Sequence, residues 1–134
     1  MSDLAITQQA ASLLLRTANE TGEGLNADMP FPTTITLCED VMVAGTSHIV
    51  GIDDVLDGIE LPADVKLVRD AGNLHDRWAI KVLHGGKRLG FVPCDVNEIL
   101  ARLMDGGKKL TGTVFEREVR GQWNKLHMEV TLVD

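Results

Sequence analysis

The sequence has no tyrosine, two cysteines and, in its first 64 positions, a single basic residue, Arg16. Each scarcity excludes something. Cys38 and Cys94 are too few for a disulfide framework and lack the CxxC spacing of a zinc knuckle or redox pair. A reducing, cytoplasmic setting is the simplest expectation. No apolar run nears the ~20 residues that a helix needs to cross a bilayer. The opening MSDLAITQQ lacks the basic start of a secretory leader, so no membrane partner is expected. Neither GxGxxG nor GxxxxGK followed by Ser or Thr occurs, so neither a dinucleotide fold nor a P-loop is signalled. His48, His75, His84 and His127 show no HxxxH or HExxH spacing, and no metal or cofactor is expected. Cys94 with His75 and Asp76 is the one conceivable thiol triad. Nothing flanking Cys94 lowers its pKa, so no catalytic residue is assigned and the chain is not read as an enzyme.

What is present is ordinary for one soluble domain: 134 residues, 44% hydrophobic and 25% charged. The net charge of -7 hides an asymmetry. Residues 1–64 carry eleven acids against Arg16, whereas residues 65–134 carry twelve bases and nine acids. The acidic balance argues against nonspecific nucleic-acid binding. The mildly basic second half still admits a polyanion if its bases share one face.

Asp3–Glu20 lacks Gly and Pro, starts on a capping Asp3 and sets Ala11, Leu14, Leu15 and Ala18 on one face, which predicts a helix. Thr21–Pro32 reads as a linker. Residues 1–30 are therefore taken as an extension and residues 31–134 as the domain. Short β-like runs follow over Thr33–Glu39, Val41–Gly45, Val65–Arg69, Ala79–Leu83 and Lys87–Val92. An acidic break between the first two fits a bulge, and His84-Gly85-Gly86 turns the last two into a hairpin. Leu110–Val119 and Leu126–Val133 pair through a polar connection, Arg120–Lys125. In the final run Leu126, Met128, Val130 and Leu132 alternate with polar residues, the mark of one buried face. Between these pairs, Asp95 is placed as N-cap of a helix with Glu98 at capping-box spacing. Its apolar stripe is Val96, Ile99, Leu100 and Leu103, and Gly106-Gly107 stops it. A short helix fits Ile52–Leu56. The expected fold is mainly β (α+β): a small OB-like β-barrel of about six strands with a helix after the fourth strand, plus the N-terminal helix.

The segment Asp70–Val82 reads DAGNLHDRWAIKV and is followed by Arg88-Leu89-Gly90-Phe91-Val92-Pro93 and then the helix. Upstream lies Val43-Ala44-Gly45. In this order the chain resembles the HIRAN domain, a module attached to helicase-like DNA translocases and also found standing alone in bacterial proteins. Asn73, Asp76, Ala79, Ile80, Val82, Gly90, Val92 and Pro93 match the family pattern over roughly Thr34–Leu132. The resemblance implies an OB-like barrel, and with it a nonenzymatic module that binds single-stranded DNA at a free 3′-hydroxyl end, in DNA repair or replication-fork processing. It also implies roles. Asp76 corresponds to the aspartate that contacts the terminal hydroxyl, and His75 and His48 to the two residues that stack on bases. Ser47 lies beside His48, Asn73 shares the turn of Asp76, Phe91 flanks the same pocket, and Trp123 is offered by the loop between the last two strands.

The departures are specific. Both stacking positions hold histidine rather than tyrosine, Leu74 replaces the motif's proline, and Trp78 its asparagine. Imidazole offers less stacking area than a phenol ring. Lys87 and Arg88 are candidate phosphate contacts, as are Arg77, Lys108, Lys109, Arg117, Arg120 and Lys125. The alternative is an interaction or adaptor domain of the same fold, with a protein partner and little DNA affinity.

Overall fold

Alternation of apolar and polar residues decides where the strands run. In the computed structural model, residues 33–133 are described. The helix expected over Asp3–Glu20 and the linker Thr21–Pro32 lie outside the described residues. Six strands form one antiparallel sheet: β1 (Thr34–Met42), β2 (Ala63–Arg69), β3 (Ile80–His84), β4 (Lys87–Phe91), β5 (Lys109–Arg120) and β6 (Trp123–Val133). Their order is β1-β6-β5-β2-β3-β4. Two helices accompany them, α1 (Ile52–Asp57) and α2 (Cys94–Asp105), the second placed after the fourth strand as expected. None among the described residues is long and apolar enough to cross a membrane.

The sheet closes on itself. Beyond β1 the chain continues to Ala44, which exchanges two backbone hydrogen bonds with Phe91 at the end of β4, each 2.8 Å. The two edges of the sheet thus meet, and the result is a small OB-like barrel. Inside lie Leu126, Met128, Val130 and Leu132 from β6, with Val65 and Leu67 of β2, Ile80 and Val82 of β3 and Leu89 of β4. α2 packs Val96, Leu100 and Ala101 against them.

Closure depends on one glycine. A Cβ on Gly90 would collide with the Ala44 carbonyl oxygen and lie 2.7 Å from Val43 Cγ1. Only hydrogen at that position lets the first strand's extension approach β4. The β3–β4 turn has a different need: Gly85 and Gly86 take φ of 57° and 81° between the paired His84 and Lys87, the left-handed pair that a two-residue hairpin turn requires.

Two expectations are corrected. Pro93, not Asp95, is the N-cap of α2. Its φ of -65° and ψ of 150° are already extended, and its carbonyl accepts the N–H groups of Val96 and Asn97. Asp95 instead sits in the first turn, where its charge meets the positive end of the helix dipole. Glu98 pairs with Arg102 at 2.9 Å instead of folding back. The connection between the last strands is also shorter than Arg120–Lys125. Pairing runs up to Arg120 and Trp123, leaving Gly121-Gln122 as the whole turn. Asn124 keeps its strand position because its side chain is buried among partners: it donates to Asp53 at 2.6 Å and accepts from Arg117 at 2.9 Å.

Candidate nucleic-acid interface

The turn between β2 and β3 is built by its own side chains. Asn73 Oδ1 accepts the backbone N–H groups of His75 and Asp76 at 2.8 and 3.0 Å, and Asn73 Nδ2 donates to Asp70 at 3.1 Å. This is an Asn-centred turn of the kind short polar side chains favour. It leaves His75 exposed and draws Asp76 inward. Asp76 Oδ1 accepts the Trp78 N–H at 2.9 Å, and Oδ2 accepts the side chain of the buried Asn97 at 2.7 Å. The Cys94 thiol also points at Oδ2 at 3.7 Å. A carboxylate offers about four lone-pair sites, so three neighbours leave room for one more donor.

Those neighbours bring the start of α2 to the turn, and the barrel closure brings the rest. Phe91 stands three residues before Cys94 and is bonded to Ala44. Gly45 packs near its ring, and the single 3-10 turn Thr46–His48 follows, with Ser47 and His48 exposed. The Thr46 hydroxyl anchors this turn by donating to the Asn124 carbonyl at 2.8 Å. Arg88 holds its guanidinium 5.1 Å from the centre of the Phe91 ring, a cation–π contact. Asn73, His75, Asp76, Phe91, Ser47 and His48 are thus joined through the Asp76–Cys94 contact and the Ala44–Phe91 closure, with Arg88 reaching in over the ring.

Lys87 and Trp123 are placed apart. Lys87 lies at the other end of β4, beside the Gly85-Gly86 turn, roughly 13 Å of strand from Phe91 at ~3.3 Å per residue. Trp123 opens β6 and is partly exposed; its link to the site is through Asn124 and Thr46. Among the further phosphate candidates, Arg117 is bound to Asp57 at 2.8 Å, and Arg120 and Lys125 both approach Glu118. Arg77 stacks on Trp78, which Arg102 also approaches, each guanidinium 4.5 Å from the ring centre.

Cys94, Asn97 and Trp78 are members of this arrangement that sequence reasoning did not assign. Cys94 enters the sequence reading beside Asp76 only as a conceivable thiol triad, and Asn97 stands out as a polar residue one position after Val96 in the apolar stripe. Burial, followed by the charge of Asp76, pushes the Cys94 thiol above the usual range, the opposite of activation. His75 enters the cluster's hydrogen bonds through its backbone N–H.

A second polar cluster lies on β6. His127 Nδ1 is 2.8 Å from Asp40, and Nε2 is 2.7 Å from Glu118 and 3.8 Å from Glu116. The scattered histidines of the sequence did not announce it, because its members meet only across paired strands. Glu116, Glu118 and His127 have metal-ligand atoms within 4.8 Å of one another, but the 2.7 Å separation is that of a shared proton. The hydrogen bonds to Asp40 and then Glu118 raise the His127 pKa above its ordinary 6.5. Stability from this contact is therefore complete below ~6.5 and lost as pH rises through the folded-state value. The bond from His127, followed by that from Arg120, lowers Glu118 below its ordinary 4.5; that contribution fades only as pH falls through the lowered value. The denaturation midpoint should decline as pH rises above ~6.5, and His127→Gln should flatten the decline. An unchanged slope in the variant would mean the imidazolium contributes nothing.

Comparison with known proteins gives the same outline. The family model of the HIRAN domain matches residues 38–133. Among solved structures, a protein from Lactobacillus plantarum superposes with a TM-score of 0.69 at 27% identity, covering 77% of this chain and 98% of that one. The crystal structure of the HIRAN domain of human HLTF superposes with a TM-score of 0.55 at 23% identity, covering 74% and 79%, a likeness of fold. A Fanconi-associated nuclease 1 homolog of Arabidopsis thaliana is 40% identical over 85 residues, which are 60% of this chain and 9% of that protein's length. The barrel closed through Ala44 and Phe91, the Asn73–Asp76 turn and a family match spanning most of the chain lead to one assignment: the chain belongs to the HIRAN domain family.

Proposed function

We propose that this chain is a nonenzymatic module that binds single-stranded DNA and selects a free 3′-hydroxyl end, serving DNA repair or replication-fork processing. The observation that carries the reading is Asp76. Its carboxylate is held by the Trp78 N–H and the Asn97 amide and keeps an acceptor site unused. Anionic oxygen is a poor neighbour for a phosphodiester and a good acceptor for a hydroxyl. A chain end offers that hydroxyl, whereas an internal nucleotide does not. Phe91 under Arg88, with His48 and His75 exposed nearby, supplies faces on which terminal bases can stack. Family membership and the nuclease relative support a DNA setting.

The test is an anisotropy titration with 5′-labelled strands that end in a 3′-hydroxyl or a 3′-phosphate. The hydroxyl strand is expected to bind at least ~10-fold tighter, one hydrogen bond to a charged group being worth ~1.5–3 kcal/mol. Equal affinities would remove end recognition. The adaptor reading is favoured by the histidines at both stacking positions and the net charge of -7; absence of binding to either strand would leave it standing.

A further inference from the structure

Twelve basic side chains lie among the described residues, and they fall into two groups. Arg69, Arg102, Arg117, Arg120 and Lys125 each hold a carboxylate within 4 Å. The other seven have no carboxylate partner among the described residues: Arg77 and Arg88, which lie over the Trp78 and Phe91 rings, and Lys66, Lys81, Lys87, Lys108 and Lys109. Arg77 apart, they are not scattered. Strand register puts Val68, Lys81 and Phe91 in one row across β2, β3 and β4, and Lys66, Leu83 and Arg88 in the next. The irregularity between Val82 and Leu83 turns Leu89 and Gly90 both inward, leaving Arg88 and Phe91 on the same outer face. That face carries three cations and an aromatic ring.

Next to it the sheet parts. Pairing of β2 with β5 ends at Lys66 and Thr111, and a groove of about 970 Å³ opens beyond. Lys66, Lys108, Lys109, Leu83, Met104 and Thr111 are among its lining residues. The one carboxylate lining it, Asp64, lies beside Thr113, whose hydroxyl donates to it at 3.3 Å. Phe91 lies on this outer face and stands three residues before Cys94, whose thiol points at Asp76, so the chain leads from one surface to the other.

We propose that the outer face of β2–β3–β4 and the adjoining groove carry the sugar-phosphate backbone of the strand whose 3′ end sits at Asp76. The proposal rests on the end-binding reading and adds the path that the strand takes away from it. Unpaired cations beside a stacked ring suit a nucleic acid, which presents phosphates and bases together. An acidic peptide would use the cations and leave the ring idle.

The test compares 3′-hydroxyl strands of about 4 and about 16 nucleotides, the range of one such barrel's site size, over a salt series. The longer strand is expected to show the steeper salt dependence, each phosphate contact adding ~0.7 to the slope of log K against log salt. Lys66→Gln combined with Lys109→Gln, both lining the groove and neither paired with Phe91, should lower the long-strand slope by about 1.4. Short-strand affinity and the preference for a 3′-hydroxyl should not change. Equal slopes for both lengths, or a double variant with the original slope, would overturn the path while leaving end binding intact. Polyglutamate displacing the long strand as well as an unlabelled strand of equal length does would also overturn it, by making the face a general anion site. Failure of both lengths to bind overturns the path and the end-binding reading together.

Discussion

Gly90→Ala is expected to lower stability by about 3 kcal/mol or more, and with it any affinity for DNA ends. The new methyl group would sit in the space of the Ala44 carbonyl and 2.7 Å from Val43 Cγ1. Overpacking against side chains costs ~1–3 kcal/mol because rotamers adjust; a backbone carbonyl in a paired strand has no rotamer. Relief requires that Ala44 move away from β4, which breaks the two 2.8 Å bonds with Phe91. Each is worth ~1 kcal/mol net, and the barrel opens at the place where Ser47, His48 and Phe91 are assembled. Urea denaturation measures the loss, expected as a lowered midpoint with little change in slope. A midpoint within the range of an ordinary surface substitution would mean that the closure is not needed for stability.

That closure was only partly legible in the sequence. The strands were, because burial of one face imposes a period of two, and Leu126 to Leu132 show it without interruption. The β3–β4 hairpin was legible too, since Gly85-Gly86 is a demand of backbone geometry. What escaped was decided by partners far along the chain. Asn124 looked like part of a polar loop; Asp53, Arg117 and Thr46 make it a buried strand residue. His127 looked like the polar half of an alternation, and only the pairing with β1 and β5 shows Asp40 and Glu118 on its two nitrogens. The cap of α2 failed for a local reason: Pro93 already has the extended backbone that the position requires, so Asp95 was not needed there.

The candidate site divides the same way. Asn73 and Asp76 stood out because they match the family pattern. That Asp76 also ties α2 to the β2–β3 connection could not be read locally, because Asn97 lies 21 residues away. Lys87 and Arg88 are adjacent in sequence and both are candidate phosphate contacts. On the strand they part: Arg88 lies over Phe91, and Lys87 sits at the turn.

Asp76→Ala is expected to cost about 3 kcal/mol and to abolish discrimination between 3′-hydroxyl and 3′-phosphate strands. Two effects add in the folded protein. The Trp78 N–H and the Asn97 amide lose hydrogen bonds to a charged group, worth ~1.5–3 kcal/mol each before the site relaxes. Asn97 is 3% exposed, so its amide becomes a buried donor without a partner. Asp76→Asn avoids this only in part. Its oxygen can still accept the Trp78 N–H, and its NH₂ is matched only if the Asn97 amide flips to present its own oxygen, so both bonds lose the carboxylate charge. Stability alone therefore cannot separate a turn-ordering carboxylate from one that reads a hydroxyl, and a second position is needed. Asn97→Leu removes the helix tie and leaves the Asp76 charge in place. If Asp76 acts on the DNA end, Asn97→Leu should lose stability yet keep the 3′-hydroxyl preference, whereas Asp76→Ala loses both. A double-mutant cycle over the two positions should return a coupling of ~1.5–3 kcal/mol. Equal end preference in Asp76→Ala and the unmodified protein would assign the carboxylate to the fold alone.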